Sequence, residues 1–196
     1  MNKDGFYALR IHPIVFMGVV TIVCVSILSA LYLSTQDRVE ANELFFLRRS
    51  VLDAAGISHD GTVDDVQSLY ETSVVETDGK YSIQGDGNAP VTVVERTGPG
   101  LWGPITMMIG FSSPEVLSGI SIVSQNETPG LGARIEEPWF TAQFAGKTGP
   151  FILVEEGTSD ASNEVDAITG ATRTSRYFRD IVNVAVSDGP SIYGGQ

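Results

Sequence analysis

Cysteine is nearly missing from this chain. Cys24 is the only one in 196 residues, and it lies inside a hydrophobic run. No intrachain disulfide can form, and no Cys-x-x-Cys pair exists to hold a metal or a cluster. Histidine is almost as scarce: His12 precedes the run and His59 sits in a Gly/Asp-containing loop, a pattern that does not suggest a histidine metal site. Positive charge is short as well, with Lys and Arg numbering 12 against 24 Asp and Glu. The net charge of −12 and the pI of about 4.4 argue against a nucleic-acid partner. There is no internal repeat and no low-complexity segment. No nucleophile–base pair stands out, so nothing points to bond-making chemistry by this chain itself. What remains is ordinary globular composition. Aromatics at 9% and charged residues at 18% place the chain outside the disordered class. Its length suits one domain with a real core.

Ile14 to Leu33 is a twenty-residue run without a charge, which matches the thickness of a bilayer core. A cleaved signal peptide has a shorter apolar region and a small-residue cleavage site, and a buried core helix is the other rival. The length favours a single membrane anchor. Lys3 and Arg10 before the run are balanced by Arg38, Arg48 and Arg49 after it, so the charge count does not orient the span.

Beyond the run, Asp37 to Ala55 repeats Leu44, Leu47, Val51 and Ala54 at helical spacing, with Gly56 as the stop. Thr62 to Tyr70 reads as a short capped helix. Tyr81–Gln84 and Val91–Arg96 alternate like strands around the turn-rich stretch Gly85 to Pro90. Ile105–Phe111 and Gly119–Ser124 form a second strand pair, an expected antiparallel hairpin. Glu136 to Ala145 is expected to be a helix with Pro138 in its first turn, and Trp139, Phe140 and Phe144 as core. Phe151–Glu155 reads as a strand, and a polar loop then leads to Asp166.

The chemistry concentrates at Asp166-Ala-Ile-Thr-Gly-Ala-Thr172. It runs into a segment where Phe178, Ile181, Val182 and Ala185 make one apolar helical face, ended by Asp188-Gly-Pro. A helix start has up to four backbone N–H groups without an intrahelical partner, which suits an anion. Gly170 and Ala171 allow a phosphate to approach the main chain closely. Thr169, Thr172, Thr174 and Ser175 add hydroxyls, while Arg173 and Arg176 add positive charge. Two readings are open on these residues alone: a phosphate site, or an ordinary helix capped by Thr169 or Thr172.

Asp-x-x-Thr-Gly-Ala-Thr resembles the flavinylation motif of the FMN-binding domain found in the G subunit of Rnf electron-transport complexes and the C subunit of the sodium-translocating NADH:quinone oxidoreductase. Two further stretches resemble the same family in the same order: Gly98-Pro-Gly-Leu-Trp102 and Glu127-Thr-Pro-Gly-Leu-Gly132. The latter lies about forty residues before the motif. The resemblance covers about residues 95–186. Gly-Pro-Gly-Leu-Trp looks more like the quinone-reductase protein, while the short chain looks more like the Rnf protein.

The resemblance implies FMN joined to Thr172 through a phosphoester, with Asp166, Thr169, Gly170 and Ala171 completing the motif. Leu101 and Trp102 are then expected to cover the flavin ring. Glu127, Thr128 and Leu131, with Gly130 and Gly132, are expected beside it, and Arg173 and Lys147 near the phosphate. It also implies a separate flavin transferase with FAD as donor, and membrane partner subunits. The expected fold is α+β: one transmembrane helix (14–33) after a cytoplasmic N-terminus (1–13), a connecting helical region (34–75), an FMN-binding domain (76–190) with antiparallel strands and flanking helices, and a tail (191–196). The domain is expected on the periplasmic or extracellular side of the plasma membrane. The implied function is electron carriage within an ion-translocating oxidoreductase complex, or alternatively in a stand-alone tethered flavoprotein or redox sensor.

Overall fold

The first helix, α1 (His12–Ala55), is 44 residues long, about 65 Å at 1.5 Å per residue. It belongs to a computed structural model that describes residues 11–84 and 90–193. The expected break between an apolar span and a second helix from Asp37 is absent. No glycine or proline occurs from Val19 to Ala55 to interrupt the helix. The Ser34 and Thr35 hydroxyls fold back onto the Leu31 carbonyl at 2.9 and 3.0 Å instead of starting a turn. The apolar stretch passes as a candidate membrane span with mean hydropathy 2.7, and none of it is buried.

The chain divides into two compact units, Met1–Leu44 and Phe45–Gln196. The second unit thus reaches back well before residue 76, because the last turns of α1 are core: Val51, Leu52 and Ala54 are fully buried. Gly56, at φ +78°, ends the helix as expected. Its N–H donates to the Asp53 carbonyl and that of Ile57 to the Leu52 carbonyl, both at 3.0 Å, the paired bonds of a Schellman stop. Helix α2 (Val63–Ser73) starts where the sequence indicates, with the Thr62 hydroxyl accepting from the Asp65 N–H at 3.3 Å.

Five strands follow as an antiparallel meander in the order β1-β2-β3-β4-β5. They are β1 (Val74–Thr77), β2 (Lys80–Ile83), β3 (Val91–Pro99), β4 (Pro104–Phe111) and β5 (Leu117–Ser124). Strand β1 is an addition to the expected set. Its signal is Asp78-Gly79, both at positive φ (+51° and +71°), which makes the two-residue turn favoured by tight hairpins. Most of the Gly85–Pro90 loop lies outside the described residues.

Alternation along the strands sends two side-chain sets to opposite faces. Val94, Ile105, Met107, Ile109 and Phe111 pack with Phe140, Phe144, Phe151 and Phe178. Val93, Met108, Tyr81 and Ile83 pack with Val51 and Ala54 of α1. The close approach of α1 depends on Gly110, where a Cβ would run into the Ala54 carbonyl. The Ser118 hydroxyl donates to that carbonyl at 2.8 Å.

The expected helix over Glu136–Ala145 is broken into three pieces: a 3₁₀ turn (Gly132–Glu136), one turn of α3 (Pro138–Thr141), and a second 3₁₀ turn (Ala142–Phe144). Pro138 forces Glu137 into an extended conformation (ψ 134°), which uncouples the first piece from the second. Phe140 then packs edge-on against Phe144 and Phe178, and those two rings are tilted to each other, with centroids 5.1–5.9 Å apart. Two short parallel strands, β6 (Ile152–Val154) and β7 (Glu164–Asp166), lead to the last helix, α4 (Thr172–Tyr193).

Helix α4 does not stop at Asp188. It continues through Pro190, which removes one N–H and costs the helix a bond. Tertiary contacts offset that loss. Lys80 Nζ donates to the Ile192 carbonyl at 3.0 Å, and the Tyr193 hydroxyl donates to the Pro90 carbonyl at 2.8 Å.

Candidate functional site

The turn into α4 is built by glycine. The Ala171 N–H closes it on the Ile168 carbonyl at 2.9 Å, and Gly170 sits at φ +81°. Only glycine adopts that conformation without strain. Gly170→Ala is therefore expected to cost about 1 kcal/mol or more. It should also lower the fraction of chain that acquires flavin, read as in-gel fluorescence alongside a thermal melt.

Ser175, fully buried, ties the turn down from inside. Its hydroxyl donates to the Ala171 carbonyl at 3.1 Å and accepts from the Ile168 N–H at 3.0 Å. This arrangement bears on the capping reading of the threonines. The helix begins at Thr172 itself, so Thr172 stands inside the first turn rather than at the cap. Its side chain is exposed, and among the described residues its hydroxyl makes no hydrogen bond. The N–H groups of Thr172, Arg173 and Thr174 precede the first intrahelical bond, which runs from Ser175 to Ala171 at 3.0 Å. Arg173 and Arg176 are exposed at the same end and have no ion pair among the described residues.

Glu127 joins the three stretches singled out in the sequence. Its side chain is turned inward, not toward an open ligand face: the residue is 5% exposed. One carboxylate oxygen accepts from the Leu101 N–H at 2.6 Å and the Trp102 N–H at 3.2 Å. The other accepts from the Thr174 hydroxyl at 2.6 Å. Gly100 and Gly132 press on this carboxylate so closely that a Cβ at either would lie within 2.7 Å of an oxygen. Glu127 thereby fixes the Gly-Pro-Gly-Leu-Trp loop and the start of α4 to one point. Its carboxylate is thus spent on protein donors, among the stretches expected around the flavin.

Around that point, apolar side chains face outward. Trp102 is 71% exposed, Leu131 47% and Leu101 37%. The Thr128 carbonyl takes the N–H groups of Leu131 and Ala133, both at 3.1 Å, which with Gly130 at φ +74° shapes the loop presenting Leu131. Leu131 lies against the Gly170 turn: a Cβ on Gly170 would be 3.4 Å from Leu131 Cδ2.

Two other expected residues have protein partners of their own. Lys147 Nζ donates to the Glu164 carbonyl at 2.8 Å, which ties one of its three N–H groups to β7. Asp166 holds the loop before it, accepting from the Thr158 and Ser159 N–H groups at 3.1 and 2.8 Å. Partial burial pushes its carboxyl up, but the N–H groups of Ser159 and Gly157 outweigh that and leave it below the usual carboxylate range.

Glu156 carries no mark in the sequence. Its carboxylate accepts from the Thr169 N–H at 2.8 Å and lies 3.8 Å from the Arg134 guanidinium. The Thr169 N–H and hydroxyl are the main cause that lowers its pKa. No local motif marks such a residue, because its partner is thirteen positions away. Both carboxyls have folded values below their unfolded ones, so their contribution is complete above about pH 4–5 and is lost as pH falls through the lowered values. The protection of the Ser159 and Thr169 amides, taken relative to their intrinsic exchange rates at each pH, should therefore fall below about pH 4.

The result is an open cradle: an anion-accepting helix start, one free hydroxyl, and an exposed apolar rim. The helix start suits an anionic group and the rim suits an apolar one. A groove of the domain lies elsewhere, lined by different residues.

Comparisons with known proteins point the same way. Residues 100–187 match the family model of the FMN-binding domain. The chain is 40% identical over 95 residues to the G subunit of the Na(+)-translocating ferredoxin:NAD(+) oxidoreductase complex of Acetobacterium woodii, a match covering 46% of this chain and 45% of that one. It therefore spans less than half the length of that relative. It is 29% identical over 177 residues to the G subunit of the ion-translocating oxidoreductase complex of Methanosarcina acetivorans, covering 88% and 90% of the two chains. Among solved structures, the C subunit of the Na(+)-translocating NADH-quinone reductase from Parabacteroides distasonis superposes with TM-score 0.67 at 25% identity, covering 80% of this chain and 94% of that one.

Proposed function

We propose that this chain carries FMN as a phosphoester on Thr172 and passes electrons as a subunit of a membrane-bound, ion-translocating oxidoreductase complex, of the Rnf type or the related NADH:quinone type. The observation that carries the reading is the state of Thr172: the exposed hydroxyl at the start of α4 has no protein partner among the described residues, while its neighbours Thr174 and Ser175 are bonded.

The residues present fit the group. The N–H groups of Thr172, Arg173 and Thr174 face the end of the helix where a phosphate is favoured, and Arg173 adds charge. Gly170 keeps the main chain bare beside it. Leu101, Trp102 and Leu131 offer an apolar rim suited to a flat aromatic ring. Glu127 holds that rim and the helix in register. Lys147 and Asp166 act by fixing β7 and the loop at 157–159. Bound FMN supplies one- and two-electron chemistry. The chain anchors, orients and partly shields it.

In this reading the apolar part of α1 anchors the domain in the plasma membrane, with the N-terminus cytoplasmic and the flavin outside. A flavin transferase using FAD completes maturation. Redox chemistry in the complex drives sodium or proton transport, and the isolated chain turns over no substrate. Tethering keeps the carrier near its partners at high effective concentration. The test is coexpression with a flavin transferase, followed by a denaturing gel viewed for flavin fluorescence and copurification from membranes. A fluorescent band that copurifies with multi-span subunits is the expected result. A dark band despite an active transferase overturns the flavin assignment. A fluorescent band that purifies alone overturns the complex and leaves a stand-alone carrier.

A further inference from the structure

A groove of about 760 Å³ has no residue in common with the flavin cradle. Its floor is Ser118–Val123, six consecutive residues of β5. Consecutive residues point alternately to opposite faces of a sheet, so only the strand's edge can present all six to one cavity. Strand β5 is the last in the sheet order and pairs with β4 alone. One wall is the end of α1, with Phe46, Arg49 and Asp53; the other is the broken segment around Pro138, Thr141 and Ala145. At the start of β5 the edge is covered, since Leu117 exchanges backbone bonds with Gly146 and Lys147 at 2.8 and 3.1 Å. From residue 119 to 124, no backbone group bonds to any described segment other than β4.

Natural sheets defend such edges with charge, proline or a covering element. Ser118-Gly-Ile-Ser-Ile-Val123 carries neither charge nor proline, whereas the opposite edge, β1, is four residues long and carries Glu76. We propose that the β5 edge is a strand-addition site that receives an extended segment of a partner polypeptide.

The chemistry of the groove selects that occupant. A row of alternating N–H and C=O groups is matched along its length only by another extended backbone, while a small ligand would satisfy one or two of them. Ile120 and Ile122, with the small residues Ala142 and Ala145, leave room for medium-sized apolar side chains at alternate positions. Arg49 and His59 share Asp53, at 3.7 and 3.0 Å, whereas Glu136 has no ion pair among the described residues. The unpaired charge on the rim is therefore negative, and the segment carries a Lys or Arg opposite Glu136. A second copy of this chain is a poor occupant. Its β5 edge is recessed between the same two walls, and its β1 edge brings Glu76 toward Glu136.

The proposal stands independently of the flavin reading and is tested in membranes of the source cell. The full-length chain carries p-benzoylphenylalanine at Ser121, or at Thr141 on the wall if the first variant does not accumulate. The expected result is a light-dependent adduct with one other polypeptide. Its crosslinked peptide maps to an extended segment with a basic residue. Glu136→Lys should then lower adduct yield at least about fivefold, by placing like charges together. Absence of an adduct overturns the proposal, as does an adduct only with another copy of this chain, or a yield indifferent to Glu136→Lys. Flavin fluorescence measured on the same samples reports separately on the Thr172 assignment.

Discussion

Thr172→Ala, coexpressed with a flavin transferase, runs on a denaturing gel as a dark band where the native chain fluoresces. The loss is expected to be complete, because the neighbouring hydroxyls are already committed. Thr174 donates to the buried Glu127 carboxylate at 2.6 Å, and Ser175 is fully buried beneath the turn. Thr169 is held by its N–H, which donates to the Glu156 carboxylate at 2.8 Å. Thr172→Ser keeps a hydroxyl at the same helical position and should stay fluorescent. Thr172 is exposed and caps nothing, so alanine there should change stability by no more than about 0.5 kcal/mol. Dark and still folded is therefore the informative outcome. A helix cap would behave in the opposite way, losing about 1 kcal/mol of stability and no chromophore. If the alanine variant still fluoresces, the flavin is attached elsewhere, with Thr169 the next hydroxyl to test.

Glu127→Ala should have the largest effect on stability. It removes one acceptor from three donors at once: the Leu101 N–H, the Trp102 N–H and the Thr174 hydroxyl. Bonds to a carboxylate contribute more than neutral ones, and donors left buried without a partner add their own desolvation cost. A loss of about 3 kcal/mol is expected. For a domain of this size that is a fall in Tm of roughly 6–12 °C. Flavin loading should fall as well, since the Trp102 loop and the start of α4 lose their common anchor. Glu127→Gln, which keeps a carbonyl oxygen for the two N–H groups, should recover most of the stability. Unchanged melting and loading in the alanine variant would show that Glu127 is not the clamp described here.

Much of the site is legible in the sequence because its determinants are local. Gly170 marks a turn with positive φ, and the periodicity from Phe178 to Ala185 marks one helical face. Gly56 marks the end of α1. Each reading needs only neighbours within a turn or two of chain. The errors share a different cause. The break at Pro138 and the passage through Pro190 contain the same residue type with opposite outcomes. At Glu137 nothing opposes the extended conformation. At Pro190 the contacts from Lys80 and Tyr193 hold the helix together. The hairpin at Asp78-Gly79 is the exception, since its turn signal is local and only its flanking strands are too short to show a period.

The sequence by itself determined the apolar span, the antiparallel hairpin of Ile105–Phe111 and Gly119–Ser124, the turn at Gly170 and the residue types that suit a phosphate at the start of α4. These follow from periodicity and backbone conformation, which neighbouring residues control. Tertiary structure alone decided which hydroxyl is free, that Glu127 faces inward, that Lys147 is tied to β7, and that the edge of β5 is open. Each depends on a partner far along the chain, such as the 47 residues between Glu127 and Thr174. A hydrogen bond is settled by the few ångströms between donor and acceptor, and for distant residues packing alone sets that distance.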